Sequence, residues 1–305
     1  MPGPSGHSKR TEDSRGWGAH VVDSNQAHMD CKRGKVHAVM PRKHGTVESG
    51  LPSMAQSATF TAHNIALDDG TQTKPDAGYV MSQHRWFLSA SRLLRQLYPQ
   101  GLQGVRIADL GCLEGGYSIE FARLGMEVVG IEVRDVNFRN CEFARERLSL
   151  PNLRFVQDDV WNVERHGPFD VIFCCGLLYH LDRPREFLTM LGRCAKKAII
   201  LNTHFAPEET NRQFELSSIK ENEGLRGRWF AEHDGTAAMR DKSLWASWNN
   251  KQSFWLCRPD LLHAVQQAGF EIVLEQFDTL GNDIRAEMAN GDYGKLHRST
   301  IVGLR

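Results

Sequence analysis

The sequence has no apolar run long enough to cross a bilayer; its longest, such as 170–178 and 198–201, fall far short of the ~20 residues a spanning helix needs. No hydrophobic stretch opens the chain, so no secretory signal is expected. None of the seven cysteines forms a C-x-x-C pair, and the count is odd. Free thiols in a reducing cytoplasm are therefore expected, with Cys112, Cys174, Cys175 and Cys194 on strands or buried turns. There is no excess charge of either sign: 37 basic residues balance 37 acidic ones, which argues against a polyanionic partner such as nucleic acid. No internal repeat and no carboxylate cluster at ligand spacing is present, so no metal is called for.

Aromatics are nearly missing from residues 1–53, where Trp17 stands alone. A segment so poor in apolar groups cannot offset its ordering entropy, and a disordered tail is expected there. Its five histidines (His7, His20, His28, His37, His44) are spaced too widely for a compact metal site. Met54 opens more ordinary sequence and is a candidate start. Residues 54–98 read as an N-terminal helical cover, because 79–98 carries Trp86, Leu93, Leu94 and Leu97 at helical spacing.

From 99 to 305 the pattern is regular. Strand-like runs at 105–109, 127–133, 153–158, 169–175 and 197–203 are apolar almost throughout and alternate with helical stretches at 116–124, 137–148 and 184–194. Such strands are buried on both faces, which predicts an α/β fold with a doubly wound, mostly parallel seven-stranded sheet. A helix at 259–268 and strands at 270–277 and 299–304 suggest a hairpin added at the sheet edge. Residues 205–255 interrupt this pattern with a polar stretch and then large aromatics, including Trp245, Trp248 and Trp255. An insertion at the carboxyl edge of the sheet lies where substrates bind, so it reads as a lid; the plainer alternative is a satellite core of buried tryptophans.

The strongest chemical signal follows the first strand: Asp109, Gly111, Gly115 and Gly116 on a turn that opens a helix. Glycines permit the tight turn and let a ligand approach the main chain. Glu132 ends the second strand, where a carboxylate accepts from both ribose hydroxyls. Leu113 stands where a dinucleotide loop needs glycine against a pyrophosphate, and no Gly-Lys-Ser/Thr phosphate site follows. A nucleoside without phosphates fits better than a nicotinamide cofactor.

These residues resemble the class I S-adenosylmethionine-dependent methyltransferases over roughly 99–305. Asp109, Gly111 and Gly115 match the first motif, with Leu113 replacing its middle glycine and Cys112 within the same loop. The resemblance implies a Rossmann-like fold, S-adenosylmethionine as cofactor and Glu132 on the ribose. It also implies Asp158 or, preferably, Asp159 on the adenine amino group, with Val160 beside the ring. Cys175 and the following turn would lie at the transferred group. There Tyr179 and His180, and His204 after the fifth strand, become candidate catalytic residues, His180 as a base. The segment from Gly176 to His180, Pro184, and the run from Ser253 to Pro259 are similar to the tRNA wobble-uridine carboxymethyltransferase group, whose tRNA-binding extension is not recognisable. The expected activity is methyl transfer to a small-molecule or glycan acceptor, O-methylation favoured, with Trp245, Trp248 and Trp255 facing it and Arg226, Arg228 and Arg240 as possible anion partners. The rivals are a tRNA-modifying (carboxy)methyltransferase and a non-catalytic cofactor-binding scaffold, against which intact Asp109, Glu132 and Asp159 speak.

Overall fold

A computed structural model describes residues 58–209, 213–232, 235–279 and 283–305; the expected tail at 1–53 lies outside them. The cover is not one helix. A single turn over Met81–Gln83 ends at His84, whose backbone is extended (φ −65°, ψ 130°), and α1 (Arg85–Leu97) follows. Then β1 (Arg106–Leu110), α2 (Gly116–Arg123), β2 (Glu127–Glu132), α3 (Asp135–Arg145), β3 (Leu153–Gln157), β4 (Phe169–Cys175), α4 (Pro184–Cys194) and β5 (Ala195–His204) alternate as the periodicity predicts.

After β5 comes the insertion, with β6 (Lys220–Asn222), β7 (Leu225–Ala231), α5 (Ala237–Lys242) and β8 (Gln252–Leu256); then α6 (Arg258–Gln267), β9 (Ile272–Gln276), α7 (Ile284–Asn290), α8 (Asp292–Leu296) and β10 (Arg298–Leu304). The main sheet has the order β3-β2-β1-β4-β5-β10-β9, and β6, β7 and β8 form a separate antiparallel sheet. The first five strands are parallel. The last pair is not a simple edge hairpin: β10 inserts antiparallel between β5 and β9, and α7 and α8 fill the connection.

The apolar strands follow from burial on both faces. Along β1, β4 and β5, Ala108, Ile172, Cys174, Ile199 and Leu201 join a core with α4 and α6. Their neighbours Ile107, Val171, Phe173, Ala198 and Ile200 join the opposite core with α1 and α2. Successive side chains point to opposite faces, so each strand must be apolar at every position. A third, smaller cluster gathers Tyr179, Ala206, Trp255 and Cys257 under the insertion. The cover is tied to distant sequence: Arg85 pairs with Asp292 (2.5 Å), and Ser89 and Arg92 both bond Asp278 (2.5 and 2.8 Å). No helix among the described residues is long and apolar enough to cross a membrane.

Candidate active site

Strand order reverses between β1 and β4, which opens a crevice at their carboxyl ends. The turn leaving β1 holds Gly111, Leu113 and Gly115 at φ 63°, 54° and 79°. Leu113 thus keeps the left-handed backbone of the glycine it replaces, at a cost of roughly 1–2 kcal/mol. Its N–H donates to Glu132 Oε2 (2.9 Å), which holds the strained residue in place. At Gly115 a Cβ would stand 2.5 Å from the Phe155 ring, so only glycine fits.

Behind this turn Asp109 is buried and accepts a hydrogen bond from Ser118 Oγ (2.6 Å). Burial pushes its carboxyl up to about 7, the Ser118 bonds opposing. Glu114 is 0% exposed. Its two oxygens accept from the N–H groups of Thr61 (2.5 Å), Ala62 (3.0 Å) and His63 (2.8 Å) and from Thr61 Oγ1 (2.9 Å). His63 Nδ1 in return accepts from the Gly116 N–H (3.0 Å), capping α2. The segment before α1 is therefore stitched to the glycine turn from both sides. Cys112 is buried, its Sγ 3.9 Å from Cys141 Sγ.

Glu132 is buried at the end of β2, where Oε2 accepts from Leu113 and Oε1 from the Arg134 N–H (2.8 Å). Each carboxylate oxygen retains a second lone pair. The two aspartates after β3 differ. Asp158 Oδ1 accepts from Asp159 N and Asn162 Nδ2, and Oδ2 meets His166 Nε2 (2.7 Å). Although burial favours its neutral form, these bonds hold its carboxyl below the usual range. Asp159 caps the next turn through Oδ1, which accepts from Trp161 N (3.0 Å), and no bond to its Oδ2 is made among the described residues. Val160 is buried in the core.

On the other bank, β4 ends at Cys175, whose thiol burial pushes up to about 11, so it stays neutral. The next turn carries Tyr179 and His180. The Tyr179 ring packs on His180 (4.3 Å) and edge-on to His204 (4.5 Å). His204 stacks on Trp255 (4.7 Å, 17°), and its Nδ1–H donates to the Leu296 carbonyl (2.8 Å). His180 Nδ1 lies 2.8 Å from Oε1 of Glu232, which is 7% exposed. Burial would raise the Glu232 carboxyl, but the charge and hydrogen bond of His180 outweigh it and hold it low. Arg298 is also buried: its Nε donates to Asn202 Oδ1 (2.6 Å), and its guanidinium lies over Trp86 (4.1 Å) and Tyr179 (5.5 Å). No carboxylate forms an ion pair with Arg298 among the described residues.

The insertion divides its tryptophans. Trp255 is 2% exposed and belongs to the small core, whereas Trp245 (43%) and Trp248 (36%) lie on the surface. The three arginines are engaged within the protein: Arg226 with Asp260, Arg228 with the carbonyls of Pro207, Ser217 and Glu208, and Arg240 with the Gly235 carbonyl. No group of three or more potential metal ligands occurs among the described residues. The sequence reading missed His63, Glu114, Arg134, Glu232 and Arg298. Only Glu114 carried a signal, an acid inside a glycine turn; the partners of the rest are set by tertiary folding.

The glycine turn after β1 and the carboxylate ending β2, on a seven-stranded sheet whose β10 runs antiparallel between β5 and β9, form the arrangement expected of a class I S-adenosylmethionine-dependent methyltransferase. A family profile described as "Methyltransferase domain" matches residues 82–275, and the chain belongs to that family. It is 31% identical over 180 residues to a tRNA U34 carboxymethyltransferase of Helicobacter hepaticus, covering 52% of this chain and 56% of that protein. It is 28% identical over 126 residues to a ubiquinone biosynthesis O-methyltransferase of Albidiferax ferrireducens, covering 37% and 50%. The chain spans about half the length of these curated relatives. The N-terminal domain of EvdMO1, crystallised in the presence of SAH and D-fucose, superposes with a TM-score of 0.57 at 22% identity, over 80% of this chain and 90% of that one. At that identity the likeness speaks to the fold.

Proposed function

We propose that this methyltransferase moves the methyl group of S-adenosylmethionine to a hydroxyl of a small-molecule or glycan acceptor, with His180 as general base. The observation that carries this reading is the His180–Glu232 pair at the crevice rim. The cofactor's fit rests on Glu132, buried at the crevice with lone pairs left for two ribose hydroxyls, and on Asp159, whose Oδ2 can take the adenine amino group while Asp158 is consumed by its neighbours. Gly111 to Gly115 and Asp109 would receive the methionine end.

When bound, the sulfonium supplies an electrophilic methyl group. The protein then has to align an acceptor oxygen, exclude water and take a proton. Because His180 Nδ1–H points at Glu232, its Nε2 carries the lone pair. It would take the proton of the acceptor hydroxyl, and Glu232 would stabilise the resulting imidazolium. The aromatic wall of Tyr179, His204 and Trp255 keeps this side dry. The insertion serves as the lid, with Trp245 and Trp248 at its surface for the acceptor. We place the reaction in the cytoplasm, where the six described free cysteines stay reduced.

The test is transfer of a labelled methyl group to a panel of hydroxyl and sugar acceptors. His180→Ala should slow transfer about 10²–10⁴-fold, the usual worth of a general base, with cofactor affinity kept. Undiminished transfer by His180→Ala would overturn the base assignment.

A second reading, carboxymethyl transfer to tRNA, is favoured by Arg298. A buried guanidinium beside Tyr179, in the field of Asp292 but ion-paired with no carboxylate among the described residues, suits a carboxylate arriving on the transferred group. Tighter binding of carboxy-S-adenosylmethionine than of S-adenosylmethionine, reversed by Arg298→Met, would favour this reading over the first.

A further inference from the structure

Two residues beyond Glu132, Arg134 reaches out of the cofactor side of the crevice into the insertion. Its main-chain N–H donates to Glu132 Oε1 (2.8 Å). Its guanidinium donates to the carbonyls of Ala246 (2.8 Å) and Ser243 (3.2 Å), and those of Arg240 and Ser247 lie at 3.4 Å. These carbonyls belong to the last turn of α5 and the chain leaving it, where intrahelical partners run out and a cation is favoured. The guanidinium also lies 5.6 Å from the Trp248 ring centre.

The same short stretch is held from its other side by the acceptor half of the site. Ser247 N–H donates to Glu232 Oε2 (3.1 Å), and Glu232 Oε1 holds His180. Asn250 bonds Ser247 Oγ through its main-chain N–H and the His180 carbonyl through Nδ2 (3.1 Å). Residues 243–250 therefore form a bridge between the strand that ends in Glu132 and the turn that carries His180.

We propose that Arg134 is a positioning residue that couples occupancy of Glu132 to closure of the insertion, and through it to the orientation of the His180–Glu232 pair. This rests on the reading of Glu132 as the ribose ligand. A ligand that fixes the Glu132 carboxylate also fixes the Arg134 main chain bonded to it. The side chain is then aimed at the α5 carbonyls, the 243–250 stretch settles, and Glu232 presents its carboxylate to His180. Arg134 touches no reacting atom in this scheme; it assembles the groups that do.

The experiment uses the full chain and S-adenosylhomocysteine, so that no acceptor is needed. Hydrogen exchange of residues 240–250 is followed with and without the ligand, and calorimetry gives affinity. In the wild type, ligand should slow this exchange about ten-fold; in Arg134→Met the slowing should fall below about two-fold, and by linkage affinity should drop by a similar factor. Arg134→Lys, which keeps charge and donors at shorter reach, should restore part of the effect. No ligand binding by the wild type overturns the cofactor reading and the coupling together. Binding with unchanged exchange at 240–250 overturns the coupling alone. So does an Arg134→Met protein whose exchange is faster by the same factor with and without ligand, since that marks a staple and not a coupling. If Arg134→Met does not fold, full wild-type slowing in Arg134→Lys overturns the proposal and partial slowing supports it.

Discussion

Asp109→Asn should make this protein more stable, by an amount that depends on pH. In the folded chain burial pushes the Asp109 carboxyl from 3.8 up to about 7. Folding therefore takes up a proton between those values, and stability falls as pH rises through that window. The wild type is unpenalised below about pH 4, loses about 1.4 kcal/mol per pH unit above it, and levels off near pH 7 after about 4 kcal/mol. Asparagine can still accept from Ser118 Oγ but has no charged form to desolvate. Between pH 5 and 7 the gap between variant and wild type should widen by about 2 kcal/mol, because the slope halves as the carboxyl titrates near 7. For a domain of this size that corresponds to roughly 4–8 °C in melting temperature. Thermal melts of both proteins at pH 5, 6, 7 and 8 read this directly. The raised carboxyl also predicts that a cationic ligand binding beside it expels the proton. Calorimetry of S-adenosylmethionine at pH 7 in buffers of different ionisation heat should report about half a proton released. A gap between variant and wild type that stays constant from pH 5 to 8 would refute the reasoning.

Three further outcomes follow from the site. Glu114→Ala leaves four donors of the Thr61–His63 segment facing a buried void and should cost about 3–5 kcal/mol, read as a shift in urea midpoint. Gly115→Ala combines a left-handed alanine with a clash on Phe155 and should cost about 2–4 kcal/mol, measured by thermal melting. Asp159→Ala should weaken S-adenosylhomocysteine binding about ten-fold at unchanged stability, as for one lost hydrogen bond; Asp158→Ala should instead lower stability, because it frees Asn162 and His166.

The parallel core was legible because each strand is covered on both faces, which leaves a continuous apolar run, and the glycine turn because its backbone demands are local. Leu113 could be flagged as a departure from the motif, but not as a residue kept left-handed by Glu132, 19 positions away. Glu232 was invisible beside His180 because 52 residues separate them, and Arg298 meets Asn202 across 96. The placement of β10 inside β9 depends on how α7 and α8 fill the return path, which no strand-level periodicity records. Among the tryptophans, aromatic content could not separate Trp255, inside the small core, from Trp245 and Trp248, outside it.

The ties from α1 to Asp278 and Asp292 span 186 to 207 residues of sequence. During synthesis α1 leaves the ribosome early and must wait for those partners, while β1 to β5 and their helices can already pack. At roughly 5–20 residues per second that delay is on the order of ten seconds or more. Over that interval Arg85, Ser89 and Arg92 lack the carboxylates that tie α1 down, and the newborn chain is most exposed to chaperones and to its own copies. Substitutions at Arg85 or Asp278 should therefore lower soluble yield in the cell more than they lower the melting temperature of the purified protein.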